Sequence, residues 1–350
     1  MKKIYIHIMC SMLLLVVLQG CKRMELYELS TKVNLKINMN LKINTDIDME
    51  VETELDNDFR NKVYGKMPQY MKVMFYDADT HKQKASFILP AEGGEVTVAP
   101  GNYHLMAYNL GTESTQVEGL GNLKDAKAFT SNITAVMKSK FETLVANARG
   151  VNDRDANAET RQRGYEEDPI VYEPDHLYVV NEKAIIVPSV MTQQQDITIH
   201  ATASTILDVY SLEVLGVTGC ENIEKVEAFI TGQIEENYFG RETRGSDPAT
   251  LYVTLKTDAK NDRLYTIFGT FGKLPGAENK IYLDITITDS GGGQYRFVYD
   301  VTDQFDDSNN VNKKLVIQEE IDIPKGSEGG GGLLPEVNDW DKEDIEVPLM

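Results

Sequence analysis

From residue 33 to residue 51, apolar and polar residues take turns along the chain. Val33, Leu35, Ile37, Met39, Leu41, Ile43, Ile47, Met49 and Val51 fall on one face. Asn34, Lys36, Asn38, Asn40, Lys42, Asn44, Asp46, Asp48 and Glu50 fall on the other. A period of two predicts a half-buried strand or a long hairpin. Within it, Asn34-Leu35-Lys36-Ile37-Asn38 recurs as Asn40-Leu41-Lys42-Ile43-Asn44. Two copies do not make a repeat architecture, and strand alternation explains the echo. Further strands are predicted over 70–76, 85–89, 95–99 and 101–109, with Gly93-Gly94 and Pro100-Gly101 as turn signals. Residues 130–148 change period: Ile133, Val136, Met137, Phe141, Leu144 and Val145 have helical spacing. Thr130 or Ser131 can cap that helix, and Gly150 can end it. Residues 150–169 are polar and predict a solvated loop. Strand patterns return over 177–187, 196–216, 223–232, 249–257, 263–271, 279–289, 294–302 and 313–323, with Ser290-Gly291-Gly292-Gly293 as a hairpin turn. The reading is mainly β: two antiparallel β-sandwich domains, with one helix inserted in the first.

The N-terminus follows other rules. Lys2 and Lys3 precede an apolar run that ends at Leu18-Gln19-Gly20-Cys21. The run is short of the ~20 apolar residues a membrane span needs, and its flanks are those of a cleaved signal segment. Leu18, at −3, and Gly20, at −1, stand before a cysteine, which resembles the lipobox of lipoprotein signal peptidase. The resemblance implies a signal peptide over 1–20, lipidation of Cys21 (palmitate among the acyl groups), and a tether over 21–30. Two or three acyl chains make a durable anchor where one is marginal. Lys22 is not the aspartate that retains some lipoproteins at the inner membrane, so the expected site is the outer membrane, on the cell surface or facing the periplasm.

Composition narrows the function classes. The formal charge is −20, with 41% hydrophobic and 26% charged residues. That balance is globular, and its acidity argues against nucleic acid and against electrostatic attraction to anionic lipid. With Cys10 in the signal peptide and Cys21 lipidated, Cys220 is the one remaining thiol, so no intramolecular disulfide is expected. His81, His104, His176 and His200 show no metal-ligand spacing, and no nucleophile elbow, CxxC or phosphate loop occurs. Asp153 with Asp155, and Asp303 with Asp306 and Asp307, lack the ligand spacing of an EF-hand and read as solvated carboxylates. No cofactor, metal or catalytic residue is expected. The tyrosines sit mostly in strand patterns, where packing accounts for them.

Val73-Met74-Phe75-Tyr76-Asp77, followed by Val96-Thr97-Val98-Ala99-Pro100-Gly101-Asn102-Tyr103-His104-Leu105-Met106-Ala107-Tyr108-Asn109, resembles the N-terminal domain of the fimbrillin-related lipoproteins of Bacteroidales-type bacteria. Phe268-Gly269-Thr270-Phe271-Gly272 and Phe297-Val298-Tyr299-Asp300-Val301-Thr302-Asp303 are similar to the family's C-terminal domain. Val337-Asn338-Asp339-Trp340 resembles the tail of an uncharacterised branch. The resemblance implies two transthyretin-like domains, at 31–190 and 191–325, then a glycine-rich linker and strand-like tail at 326–350. It implies a fimbrial anchor or accessory subunit that meets other subunits by β-strand addition. Ile345, Val347 and Leu349 are the candidate donor strand, an ordinary last edge strand, or a loose end. Arg60 is the candidate cut site, though a lone arginine in a polar loop is usually solvated. The alternative is a surface glycan-binding lipoprotein partnering an outer-membrane transporter.

Overall fold

A computed structural model of the chain describes residues 30–40, 66–133, 149–151, 168–189, 197–276, 279–306 and 313–325. The N-terminal sheet is built from β1 (Thr31–Asn40), β2 (Tyr70–Asp77), β3 (Gln83–Pro90), β4 (Gly93–Val98) and β5 (Gly101–Asn109). Two short strands, β6 (Thr115–Glu118) and β7 (Lys127–Thr130), lie elsewhere, as do β8 (Arg149–Val151) and β9 (Ile170–Tyr172). β10 (Tyr178–Val187) and β11 (Ile197–Thr205) complete the sheet, whose order is β3-β2-β5-β10-β11-β1-β4. Only Ala91 and Glu92 separate β3 from β4, yet these strands stand at opposite ends of that order. The sheet must therefore fold over on itself. Its other corner is the β10–β11 pairing, limited to Tyr178↔Thr205 and Val179↔Ser204. The result is a β-sandwich of β3-β2-β5-β10 against β11-β1-β4. Val33, Leu35, Met71, Val73, Phe75, Leu105, Ala107, Val180, Ala201 and Ala203 fill its interior.

The second sheet contains β12 (Asp208–Thr218), β13 (Ile223–Ile234), β16 (Pro248–Asp258), β17 (Arg263–Thr270), β18 (Tyr282–Asp289), β19 (Gln294–Asp300) and β20 (Lys314–Asp322). Its order is β20-β12-β17-β16-β13-β18-β19-β8, with β9 paired to β16. β16 and β17 pair only at their hairpin end, from Lys256↔Tyr265 to Asp258↔Arg263, so this sheet also turns a corner there. Leu212, Val214, Ala228, Ile230, Leu251, Val253, Leu264, Phe268, Leu283, Ile285 and Leu315 pack inside. A short helix, α1 (Thr302–Asp306), adds Phe305, whose ring lies 4.6 Å from that of Tyr210. A small sheet joins the halves: β14 (Glu236–Tyr238) and β15 (Thr243–Arg244) extend β7 and β6 in the order β15-β14-β7-β6. Between the sheets lies a third apolar cluster, with Met74, Tyr76, Met106, Tyr108 and Val179 on one side and Leu207, Ile267 and Phe271 on the other. Leu123, Ala126, Ala128, Leu177, Val209 and Phe239 complete it.

Several expectations change in detail. The run over 196–216 is two strands, broken at Ile206-Leu207, and they lie in different sheets. The chain thus leaves the first sheet at residues 206–207, beyond the expected division at 190–191. Gly93-Gly94 opens a strand. A Cβ at Gly93 would stand 2.0 Å from the Leu35 carbonyl oxygen, and its φ of +103° suits glycine alone. Gly150, expected to end a helix, lies in β8, and β8 and β9 place strands at both margins of the expected polar loop. Thr130, an expected helix cap, is the last residue of β7, and the Ile133 N–H donates to the Ile170 carbonyl at 2.8 Å in strand fashion. The rest of the expected helix, 134–148, lies outside the described residues. The α-helix seen among the described residues is α1, in the other half of the chain.

Candidate functional site

The strand of greatest functional interest is β1. Its alternation sends Val33, Leu35 and Ile37 inward, with exposures of 0%, 1% and 6%, while Lys32, Lys36 and Asn38 face out. β11 pairs with it in parallel, from Val33↔Ile197 to Asn40↔Ser204. β4 pairs with its other edge in antiparallel fashion, from Thr31↔Val98 to Lys36↔Gly93. Both edges and one face of β1 are thus occupied, and its side chains meet Val96, Val98, Ile199 and Ala201 in one core. The Thr31 hydroxyl donates to the Pro188 carbonyl at 2.7 Å, and the Ile37 N–H to the Glu92 carbonyl at 2.9 Å. Lys32 and Glu95 form an exposed ion pair at 2.9 Å, which adds little. β1 thus lies between two hydrogen-bonding neighbours with its apolar face on the core.

The Pro100-Gly101 turn sits at one end of the sandwich. The Tyr103 hydroxyl donates to the Ala99 carbonyl at 2.8 Å, and a Cβ on Gly101 would lie 3.1 Å from that ring. Tyr103 also meets Phe75 edge-on, at 5.8 Å. Tyr103, Leu105 and Ala107 share the inner face. A second tie was not legible. The Asp175 carboxylate accepts N–H bonds from Glu113, Ser114 and Thr115 at 2.8, 2.5 and 2.9 Å, and a fourth from the Ser114 hydroxyl at 2.9 Å. This knot fixes the loop after β5 to the approach of β10. Its partners are about sixty positions apart, and the Ser-Thr pair was the only local hint.

Of the residues singled out for chemistry, Cys21, Arg60, Ile345, Val347 and Leu349 lie outside the described residues, as do Asp153, Asp155, Asp307 and Trp340. Asp303 and Asp306 lie on α1, where Asp306 pairs with Lys273. His81 and His104 come together with ring centroids 5.7 Å apart. His176 stacks on Tyr178 at 6.0 Å, and His200 is exposed on β11. Burial, and then the neighbouring His81, hold the His104 pKa below its ordinary value. Among the described residues no three His, Cys, Asp or Glu side chains are placed to share a metal ion. Cys220 is buried, with its thiol donating to the Val217 carbonyl at 3.1 Å, and burial pushes its pKa up. Tyr76, Tyr103, Tyr108, Tyr178 and Tyr210 are core residues; burial pushes Tyr178 up to about 12. Among the described residues no helix is long and apolar enough to cross a membrane.

Comparison with known proteins places this architecture. A curated protein of Bacteroides ovatus, provisionally named fimbrium anchoring subunit Fim4B, is 22% identical over 319 residues, covering 82% of this chain and 87% of its own. The crystal structure of a provisionally described adhesin from Bacteroides ovatus superposes with a TM-score of 0.54 at 18% identity, covering 87% of this chain and 97% of that one. It shares the fold. The fimbrial anchor protein Mfa2 of Porphyromonas gingivalis gives a TM-score of 0.43 at 11% identity, over 83% of this chain and 90% of that one. The model of a family described as a domain of unknown function, DUF5119, matches residues 46–254, more than half the sequence, and the chain belongs to that family.

Proposed function

We propose that this protein is a fimbrial anchor or accessory subunit of the bacterial cell envelope, structural and adhesive rather than catalytic. It is held to the outer membrane by lipid on Cys21 and joins other subunits by β-strand addition. The observation that carries the reading is the β1 slot. β1 lies between a parallel and an antiparallel neighbour and supplies Val33, Leu35 and Ile37 to the core, which supports reading its position as the one an added strand would take. β1 begins ten positions after Cys21, so a tether from the lipid would lead straight into the slot. The relative's name supports the fimbrial role, and the two curled sheets support a pair of transthyretin-like domains. The tail residues Ile345, Val347 and Leu349 are the proposed strand for a partner's groove. Arg60 stays uncut in this reading, because a cut there would part the lipidated Cys21 and β1 from the rest of the chain.

The test is fimbrial retention. Cells carrying Cys21→Ser, and cells lacking the gene, are compared with wild type for fimbriae in the cell pellet and the culture supernatant. An anchor predicts that both changes move fimbriae to the supernatant. Fimbriae that stay with the pellet in both strains would overturn the reading.

A further inference from the structure

The two sandwiches treat their terminal strands differently. β1 has a neighbour on each edge, whereas among the described residues β20 pairs with β12 alone and ends the strand order of its sheet. An open edge carries a row of backbone groups ready to pair with another chain. Hydrogen bonds assign those groups. The Lys313 carbonyl accepts from the Ser211 N–H at 3.1 Å, and the Ile323 N–H donates to the Thr218 carbonyl at 3.0 Å. Odd-numbered residues of β20 therefore bond inward to β12, and even-numbered residues turn their N–H and C=O away from it.

At Val316 one side chain takes both outward groups. Gln304 Oε1 accepts the Val316 N–H at 2.7 Å, and Gln304 Nε2 donates to the Val316 carbonyl at 3.1 Å. This is the two-bond exchange that a residue of an antiparallel neighbour would make. The amide is presented by α1, which Phe305 pins into the core beside Tyr210. The Val316 side chain is itself 37% exposed, an unusual place for valine on an edge strand.

We propose that Gln304 is an edge guard: its amide occupies β20 at Val316 and prevents pairing with β20 of a second copy of this chain. A second copy suits the edge because the edge is self-complementary. In an antiparallel pairing centred on Val316, the two exposed valines meet. Lys314 stands opposite Gln318, Lys313 opposite Glu319, and no like charges face each other. The consequence is directional: the β20 edge of the second sandwich takes no added strand, and that sandwich stays single.

The test is sedimentation equilibrium of the full chain in density-matched detergent, with hydrogen exchange at the Val316 amide. The wild type is expected to be monomeric. Gln304→Ala should raise Val316 exchange about tenfold at low protein concentration and produce a concentration-dependent dimer. Gln304→Glu, which sets a carboxylate against the Val316 carbonyl, should act in the same direction. Adding Val316→Lys to Gln304→Ala places like charges at the twofold centre and should restore the monomer. Because Gln304 is a surface side chain, circular dichroism should show both single variants folded. A folded Gln304→Ala variant that stays monomeric overturns the proposal, as does a dimer that survives Val316→Lys or a wild type already paired through β20.

Discussion

Truncating Leu35 to alanine tests the β1 slot most cleanly. Leu35 is 1% exposed and lies between Ile199 of β11 and Gly94 of β4. Gly94 offers no side chain to move into a vacancy, and Gly93 holds its backbone against the Leu35 carbonyl. Three carbons lost at about 0.8 kcal/mol each, plus a cavity that collapses poorly, give about 3 kcal/mol. At 1.4 kcal/mol per decade that is roughly a hundredfold rise in the opening equilibrium of the strand. Lys36→Ala is the matched control, since Lys36 is the next residue and faces solvent; its effect should be within about 0.5 kcal/mol of zero. Native-state hydrogen exchange suits a two-sheet chain better than one global unfolding midpoint, because opening of one strand is read locally. The β1 amides should exchange roughly a hundredfold faster in Leu35→Ala and at the wild-type rate in Lys36→Ala. Equal rates in the two variants would refute the claim that β1 is held by its buried face.

Three further outcomes follow from the same geometry. Asp175→Ala removes an acceptor shared by three backbone N–H groups and a hydroxyl. It should cost about 3 kcal/mol, seen as faster proteolysis of the loop at 111–115. The Asp77 carboxyl is held below its ordinary pKa by the Thr80 backbone N–H first and the Thr80 hydroxyl next. Its contribution is present above the unfolded-state value near 4 and is lost as pH falls through the folded-state value. Asp77→Asn should flatten that part of the stability–pH curve, and an unchanged acid limb would argue against it. Cys220 should resist maleimide in the native protein and react on unfolding, because the neutral thiol is buried; rapid native labelling would contradict its placement.

How far the sequence could be read depends on how many faces of a strand are covered. β1 has one buried face, so its alternation is plain. β2 and β5 are buried on both faces, with Phe75 and Leu105 in one core and Met74 and Met106 in another. They read as continuous apolar runs whose ends were legible but whose second contact was not. The break at Ile206-Leu207 was hidden because the alternation hardly falters there while the chain changes sheets. The parallel pairing of β1 with β11 joins segments some 160 positions apart, and such pairing leaves no local trace. β6, β7, β14 and β15 have two to four residues each, too short for a period to emerge. The Gln304 clamp depends on one side chain reaching one backbone residue, which no pattern announces.

The most direct measurement of the central claim is a mild-detergent pull-down of the tagged native protein, with mass spectrometry of what accompanies it. It is run beside a variant lacking residues 344–350. The account predicts recovery of fimbrial subunits with the full chain and their loss with the shortened one. Recovery of an outer-membrane transporter, or of polysaccharide without fimbrial subunits, would contradict it.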